Sequence, residues 1–449
     1  MSGRLPCSAG FPTLAELTHR LTSGVTTAEA VARACLERIE VADPSVRAWV
    51  HVDPEAVLAG ARELDGLSVA ARDVLHGIPL GVKDIFDTHD MPTTYGSPIY
   101  AGHRPRADAA IVSIARRCEM LPLGKLVTTE FAAWPPGPTT NPHEATRTPG
   151  GSSSGSAAAV AAGMVPVALA TQTTGSIIRP AAFCGVVGYK PSYGTLPCVG
   201  AKAISESFDT VGVMARTVAD AALLVGALSG RARELPSEPA VPRLGICLTH
   251  EWPAALPETA ALFDALPQLL ERAGARPTLR ALPGAFAGLA EAQSTIWTFE
   301  IARCLADEHR RFRELIREPL RGMLDEGAAM PIAEYDESLR LLRECQAALA
   351  AVFDGLDVLV VPSAPGEAPD VATTGDPVFN RVWSALGAPA ITVPAGAGPS
   401  GLPLGVQVVG LPGQDARVVA CAAWIEHALS GSAQSTSPTT RVRGVSTDA

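Results

Sequence analysis

Apolar positions at Ala30, Val31, Ala34, Cys35 and Ile39 recur with the i, i+3, i+4 spacing of one helical face, behind Thr26-Thr27-Ala28-Glu29 as a start signal. Residues 12–70 as a whole read as helical. From Gly77 the texture changes. Ile78-Pro79-Leu80-Gly81-Val82 is short, apolar and punctuated, as a buried strand is. Segments 107–118 (helix), 120–127 (strand), 152–163 (helix) and 165–171 (strand) then alternate, which predicts an α/β sheet with helices on its faces. A stretch richer in charge and helix formers follows at about 230–345. Strand texture returns at 357–362, 390–394 and 405–410, and the last stretch, rich in Ser, Thr and Gly, reads as disordered. The expected division is 1–70 N-terminal helical segment, 71–230 core, 231–345 helical excursion, 346–430 return to the core sheet, and 431–449 tail.

Composition sharpens this picture. With 36 Lys+Arg against 46 Asp+Glu the net charge is −10, and no basic cluster offers itself to phosphates, so nucleic acid is not the expected partner. Hydrophobic residues make up 47% of 449, enough for a large core. The nine cysteines are scattered without a CxxC, which reads as reduced thiols in the cytoplasm rather than a disulfide framework. No apolar h-region follows Met1, so no signal peptide is expected, and the histidines form no metal motif. The apolar stretch Ala157 to Ala170 is broken by Gly163 and Pro166, shorter than the ~20 residues a membrane span needs, and predicts a buried helix followed by a buried strand.

The chemistry gathers in 148–179, TPGGSSSGSAAAVAAGMVPVALATQTTGSIIR. Hydroxyl residues and glycines stand at both ends of an apolar helix–strand unit whose halves run in opposite directions, so the ends can meet. A serine nucleophile needs a base, and neither end contains histidine. Lys83, at the close of the first apolar strand, is a candidate, because burial lowers the pKa of an amine. A surface Lys83 paired with Asp84 is the alternative. Gly151-Ser152-Ser153-Ser154-Gly155 fits the formal GxSxG pattern, but a loop rather than a strand precedes it, which argues against a nucleophile elbow.

Seven segments in order, GIPLGVKD (77–84), GKLVTTEFA (124–132), PGGSSSGSAAAVAAG (149–163), TQTTGSIIRPAAFCGVVGYKPSYG (171–194), SFDTVGVMARTVADAALL (207–224), DVLVVPSAP (357–365) and LGAPAITVPAG with GLPLGVQVVG (386–410), resemble the amidase signature family. The resemblance implies one large domain with a mixed central sheet covered by helices. It implies Ser176 as nucleophile, Ser152 as relay after a cis peptide bond, Lys83 as base, and backbone N–H groups of Thr173, Thr174, Gly175 and Ser176 as the oxyanion hole. The implied activity is hydrolysis of a small amide through an acyl-enzyme, without cofactor or metal, by an enzyme that is often a homodimer. The sequence departs from the commonest Asp-Thr-Gly-Gly-Ser-Ile-Arg form: Gln172 opens the motif, Thr174 replaces a glycine, and Arg179 stands three residues after the nucleophile. That variant is similar to malonamidase-type members, in which the arginine holds a substrate carboxylate; an ion pair of Arg179 with an acid such as Asp209 is the alternative. The competing functions are the glutaminase component of a tRNA-dependent amidotransferase, against which the shifted arginine speaks, and a catalytically silent protein of the same fold. Tyr95, Trp134 and Trp383 are candidates for an acyl pocket, Glu130 reads as a structural acceptor, and Cys184 as core.

Overall fold

A computed structural model describes residues 12–231 and 241–434. Its strands are β1 (Trp49–Val52), β2 (Pro79–Lys83), β3 (Leu121–Leu126), β4 (Val167–Gln172), β5 (Val187–Lys190), β6 (Thr210–Ala215), β7 (Leu244–Ile246), β8 (Thr278–Leu279), β9 (Val358–Pro362), β10 (Ala390–Ala397) and β11 (Pro403–Val409). All join one sheet in the order β1-β3-β2-β4-β6-β5-β10-β11-β9-β7-β8. β2 runs parallel to β3 and β4, the middle of the sheet from β4 to β9 is antiparallel, and β7 is parallel to β8 and β9. The fold is therefore the expected α/β type with a single large mixed sheet.

The burial pattern explains which strands announce themselves. Every residue of β2, β6 and β9 is buried, so these strands read as apolar runs rather than as alternations. The helix Ser154–Ala161 is buried on all sides, which its sequence SGSAAAVA permits because no side chain exceeds valine. It is followed by β4, so the apolar stretch 157–170 is a buried helix and a buried strand. Among the described residues no helix is long and apolar enough to cross a membrane.

The N-terminal region carries helices Leu14–Thr22, Ala28–Val46 and Pro54–Asp65, the second capped by the Thr27 hydroxyl, which accepts from the Ala30 N–H. β1 interrupts them and pairs with β3 at the sheet edge. The 231–345 stretch holds helices Pro257–Arg272, Leu289–Cys304 and Leu320–Ala329 and most of Ile332–Val352, which runs on past 345, and it also sends β7 and β8 into the sheet. The final helix is Asp415–Gln434; the rest of the expected tail, 435–449, lies outside the described residues.

Candidate active site

Lys83 ends β2 with its side chain wholly buried. Its Nζ lies 2.8 Å from Ser152 Oγ and 2.7 Å from Thr171 Oγ1. Burial pulls its pKa down to about 7, against a partial rise from the charge of Asp209. The alternative pairing with Asp84 is not made. Asp84 instead holds Lys125 (3.2 Å) and accepts from the Thr94 N–H and hydroxyl, which fixes the chain just beyond Lys83.

Ser152 follows a cis peptide bond from Gly151, as the resemblance implied. It stands at the mouth of the helix Ser154–Ala161, and a loop precedes it, so no nucleophile elbow is formed. Ser176 lies in the turn between β4 and the helix Ile178–Cys184 and is buried. The two serine-bearing ends meet through their neighbours. Arg179 Nη2 donates to the Gly151 carbonyl (2.6 Å). Gly150, at φ +82°, lets the chain pass so close to Pro180 that a Cβ would stand 2.6 Å from its Cα. Among the described residues, no hydrogen bond joins the Ser152 and Ser176 hydroxyls directly.

The turn carrying Ser176 is clamped from three sides. Gln172 Oε1 accepts from the N–H groups of Ile177 (2.8 Å) and Ile178 (3.0 Å). Gln172 Nε2 donates to Ser384 Oγ, whose own hydroxyl donates to the Thr174 carbonyl (2.6 Å). The Thr173 hydroxyl donates to Asp209 Oδ1 (2.6 Å). These ties leave the N–H groups of Thr174, Gly175 and Ser176 without a hydrogen-bond acceptor among the described residues. Gly175 is required here: a Cβ would stand 2.4 Å from Asn380 Oδ1 and 2.8 Å from Pro377.

Arg179 is buried, with its pKa lowered to about 9 by desolvation, partly countered by Asp376. Its Nε and Nη1 have no partner among the described residues. The considered ion pair with Asp209 is not formed. The Asp209 carboxylate is taken by the Thr173 hydroxyl and by the N–H groups of Ile204 (2.9 Å) and Ser205 (3.1 Å). Burial pushes its carboxyl up to about 6.

The aromatic candidates separate. Trp134 packs on Trp297, ring centroids 5.1 Å apart. Trp383 is wholly buried, and Tyr95 turns its hydroxyl to Asp87 (2.6 Å). Glu130 is a buried acceptor for Ser97 and Arg317. Cys184 is buried, its thiol against the Pro149 carbonyl. Sequence reasoning did not single out Thr171 or Ser384. Thr171 sits in the motif TQTTGS, where several hydroxyls compete for notice, and Ser384 lies in VWSALG, which carries no signal.

Fold and chemistry together describe a hydrolase of amide C–N bonds. The family model described as Amidase matches residues 30–419, and the chain belongs to that family. It is 33% identical to a glutamyl-tRNA(Gln) amidotransferase subunit of Chloroflexus aggregans, over 89% of this chain and 92% of the relative. A crystal structure of an amidase superposes with a TM-score of 0.86 at 30% identity, covering 93% of this chain and all (100%) of the other. The native peptide amidase of Stenotrophomonas maltophilia superposes with a TM-score of 0.81 at 30% identity, covering 94% and 98%.

Proposed function

We propose that the protein hydrolyses a small carboxylic amide on its own, in the cytoplasm, with Ser176 as nucleophile, Ser152 as relay and Lys83 as base. The observation that carries this reading is a wholly buried Lys83 amine set between two hydroxyls, with burial drawing its pKa down to about 7. The neutral Lys83 amine gives one hydrogen to Thr171 Oγ1 and keeps its lone pair for the Ser152 proton. Ser152 in turn takes the proton of Ser176 as that oxygen attacks the amide carbonyl. The oxyanion meets the N–H groups of Thr173, Thr174, Gly175 and Ser176, each such donor being worth roughly 3 kcal/mol of barrier. Ser152 then protonates the leaving nitrogen, and water releases the acid.

Arg179 supports an acidic acyl half. A buried guanidinium with two idle donors and no carboxylate within ion-pair distance among the described residues is prepared for an anion from outside the chain. A second reading, the glutaminase component of an amidotransferase, is favoured by the likeness to glutamyl-tRNA(Gln) amidotransferase subunits. Purification decides between the two. The isolated chain releases ammonia or amine from small amides, monoacid amides among them, and Ser176→Ala does not. Turnover only of glutamine, and only with partner proteins added, would establish the second reading.

A further inference from the structure

A cavity of about 500 Å³ reaches the neighbours of the catalytic residues, and the proposed chemistry leaves it free. Its wall includes Thr171, whose hydroxyl touches Lys83, and Thr173, of the turn that carries Ser176. We propose that this cavity receives the amine half of the substrate, so that the enzyme acts on N-substituted amides with a short aliphatic amine half rather than on primary amides. The proposal rests on the roles given to Lys83, Ser152 and Ser176.

The direction follows from the proton path. The departing nitrogen takes its proton from Ser152 Oγ, so it faces the end of the relay where Ser152 and Thr171 share the Lys83 amine. Thr171, at that end, lies in the cavity wall, as does Thr173 of the turn that carries Ser176. The wall includes none of Arg179, Gly151 and Asn380, and it adjoins Lys83 and Ser176 only through Thr171 and Thr173, so the anion-binding guanidinium is left to the acyl half. The lining fits the same division. Ile85, Leu196, Pro197 and Ile204 supply aliphatic surface for a carbon chain, and the carboxylates of Asp209 and Glu206 in the wall repel an acid. The one lysine of the wall, Lys202, is occupied by Glu308. Ammonia, of about water's ~30 Å³, would leave most of this space unfilled.

The chemistry balances in both directions. Forward, the Ser176 Oγ–carbonyl bond forms, the C–N bond breaks, and the Ser176 proton leaves on the amine by way of Ser152. In reverse, an amine seated in the cavity attacks the acyl-enzyme, the C–N bond forms, the ester C–O bond breaks, and the proton returns to Ser176. Acyl transfer therefore reads the cavity directly. The full chain is acylated with p-nitrophenyl butyrate in the presence of ammonia or n-butylamine, and the amide-to-acid ratio is measured and divided by the uncatalysed aminolysis rate of the same ester. The expected result is capture by n-butylamine exceeding that by ammonia by roughly tenfold or more, the discrimination that even one buried methylene commands. Cys198→Phe, which adds the volume of a ring at the cavity wall, lowers n-butylamine capture by a further factor of that order relative to ammonia capture. Equal capture of the two amines by the wild-type enzyme overturns the proposal, as does a parallel loss of both in Cys198→Phe. Capture that survives Ser176→Ala at wild-type level overturns the catalytic assignment instead, and the proposal falls with it.

Discussion

The state of Lys83 can be measured in two independent ways, and both follow from its burial. An amine with the ordinary value of 10.5 is neutral in only ~3 molecules per 10,000 at pH 7; at about 7 roughly half the molecules carry the free base. Burial thus raises the supply of base at neutral pH by about a thousandfold. The distance from 10.5 to about 7, at ~1.4 kcal/mol per pH unit, places a penalty of about 5 kcal/mol on the charged amine in the folded chain. Because this value is depressed on folding, the unfolded chain holds a proton that the native chain lacks between about 7 and 10.5, and stability rises with pH in that window. Below about 7 both states are charged, and the penalty is present in full. Lys83→Met abolishes turnover but removes this penalty. The stability of the wild-type chain relative to Lys83→Met, from urea midpoints at successive pH values, rises by ~2 kcal/mol in all from pH 7 to 9, the slope starting near half of ~1.4 kcal/mol per unit at pH 7 and approaching that value above pH 8. Other buried groups, such as Lys190, are common to both chains and cancel. For a neutral amide, kcat/KM of the wild-type enzyme rises with pH to a plateau, with its midpoint near 7. A stability difference that stays constant with pH, or an activity maximum in acid, refutes the argument that Lys83 is a discharged base.

Ser176→Ala removes all acyl-enzyme formation, checked by the loss of labelling with a fluorophosphonate. Ser152→Ala lowers kcat by roughly 10²–10⁴, the range for loss of a positioned proton carrier, and leaves a residual rate. Arg179→Met raises KM for acidic amides by roughly 10- to 150-fold, from the ~1.5–3 kcal/mol of a charge-assisted hydrogen bond, and affects neutral amides little; equal effects on both would remove the anion role. Asp209→Asn withdraws the negative charge that lifts Lys83, so the acid limb of the kcat/KM profile moves to lower pH, and a profile that stays in place separates Asp209 from the base.

What the sequence conveyed and what it withheld divide along the range of the contacts. β2, β4, β9, β10 and β11 were readable because burial makes each a short apolar run between turn residues. β1 is four residues of an edge strand between two helices, and β8 is two exposed residues, so neither buries enough to leave a pattern. The pairing of Lys83 with Ser152 came from motif resemblance; the residues by themselves left Asp84 open as its partner, and only the neighbouring Lys125 shows where that carboxylate is spent. Ser384 reaches the Thr174 carbonyl from 210 residues away, beyond any local rule. Arg179 and Asp209 are the instructive pair. Opposite charges in successive motif segments suggest a bond, yet Asp209 is satisfied by one hydroxyl and two nearby backbone N–H groups. That local satisfaction of the acid has two consequences at once. It leaves the guanidinium of Arg179 with donors to spare, and it holds one negative charge where it acts on the amine of Lys83.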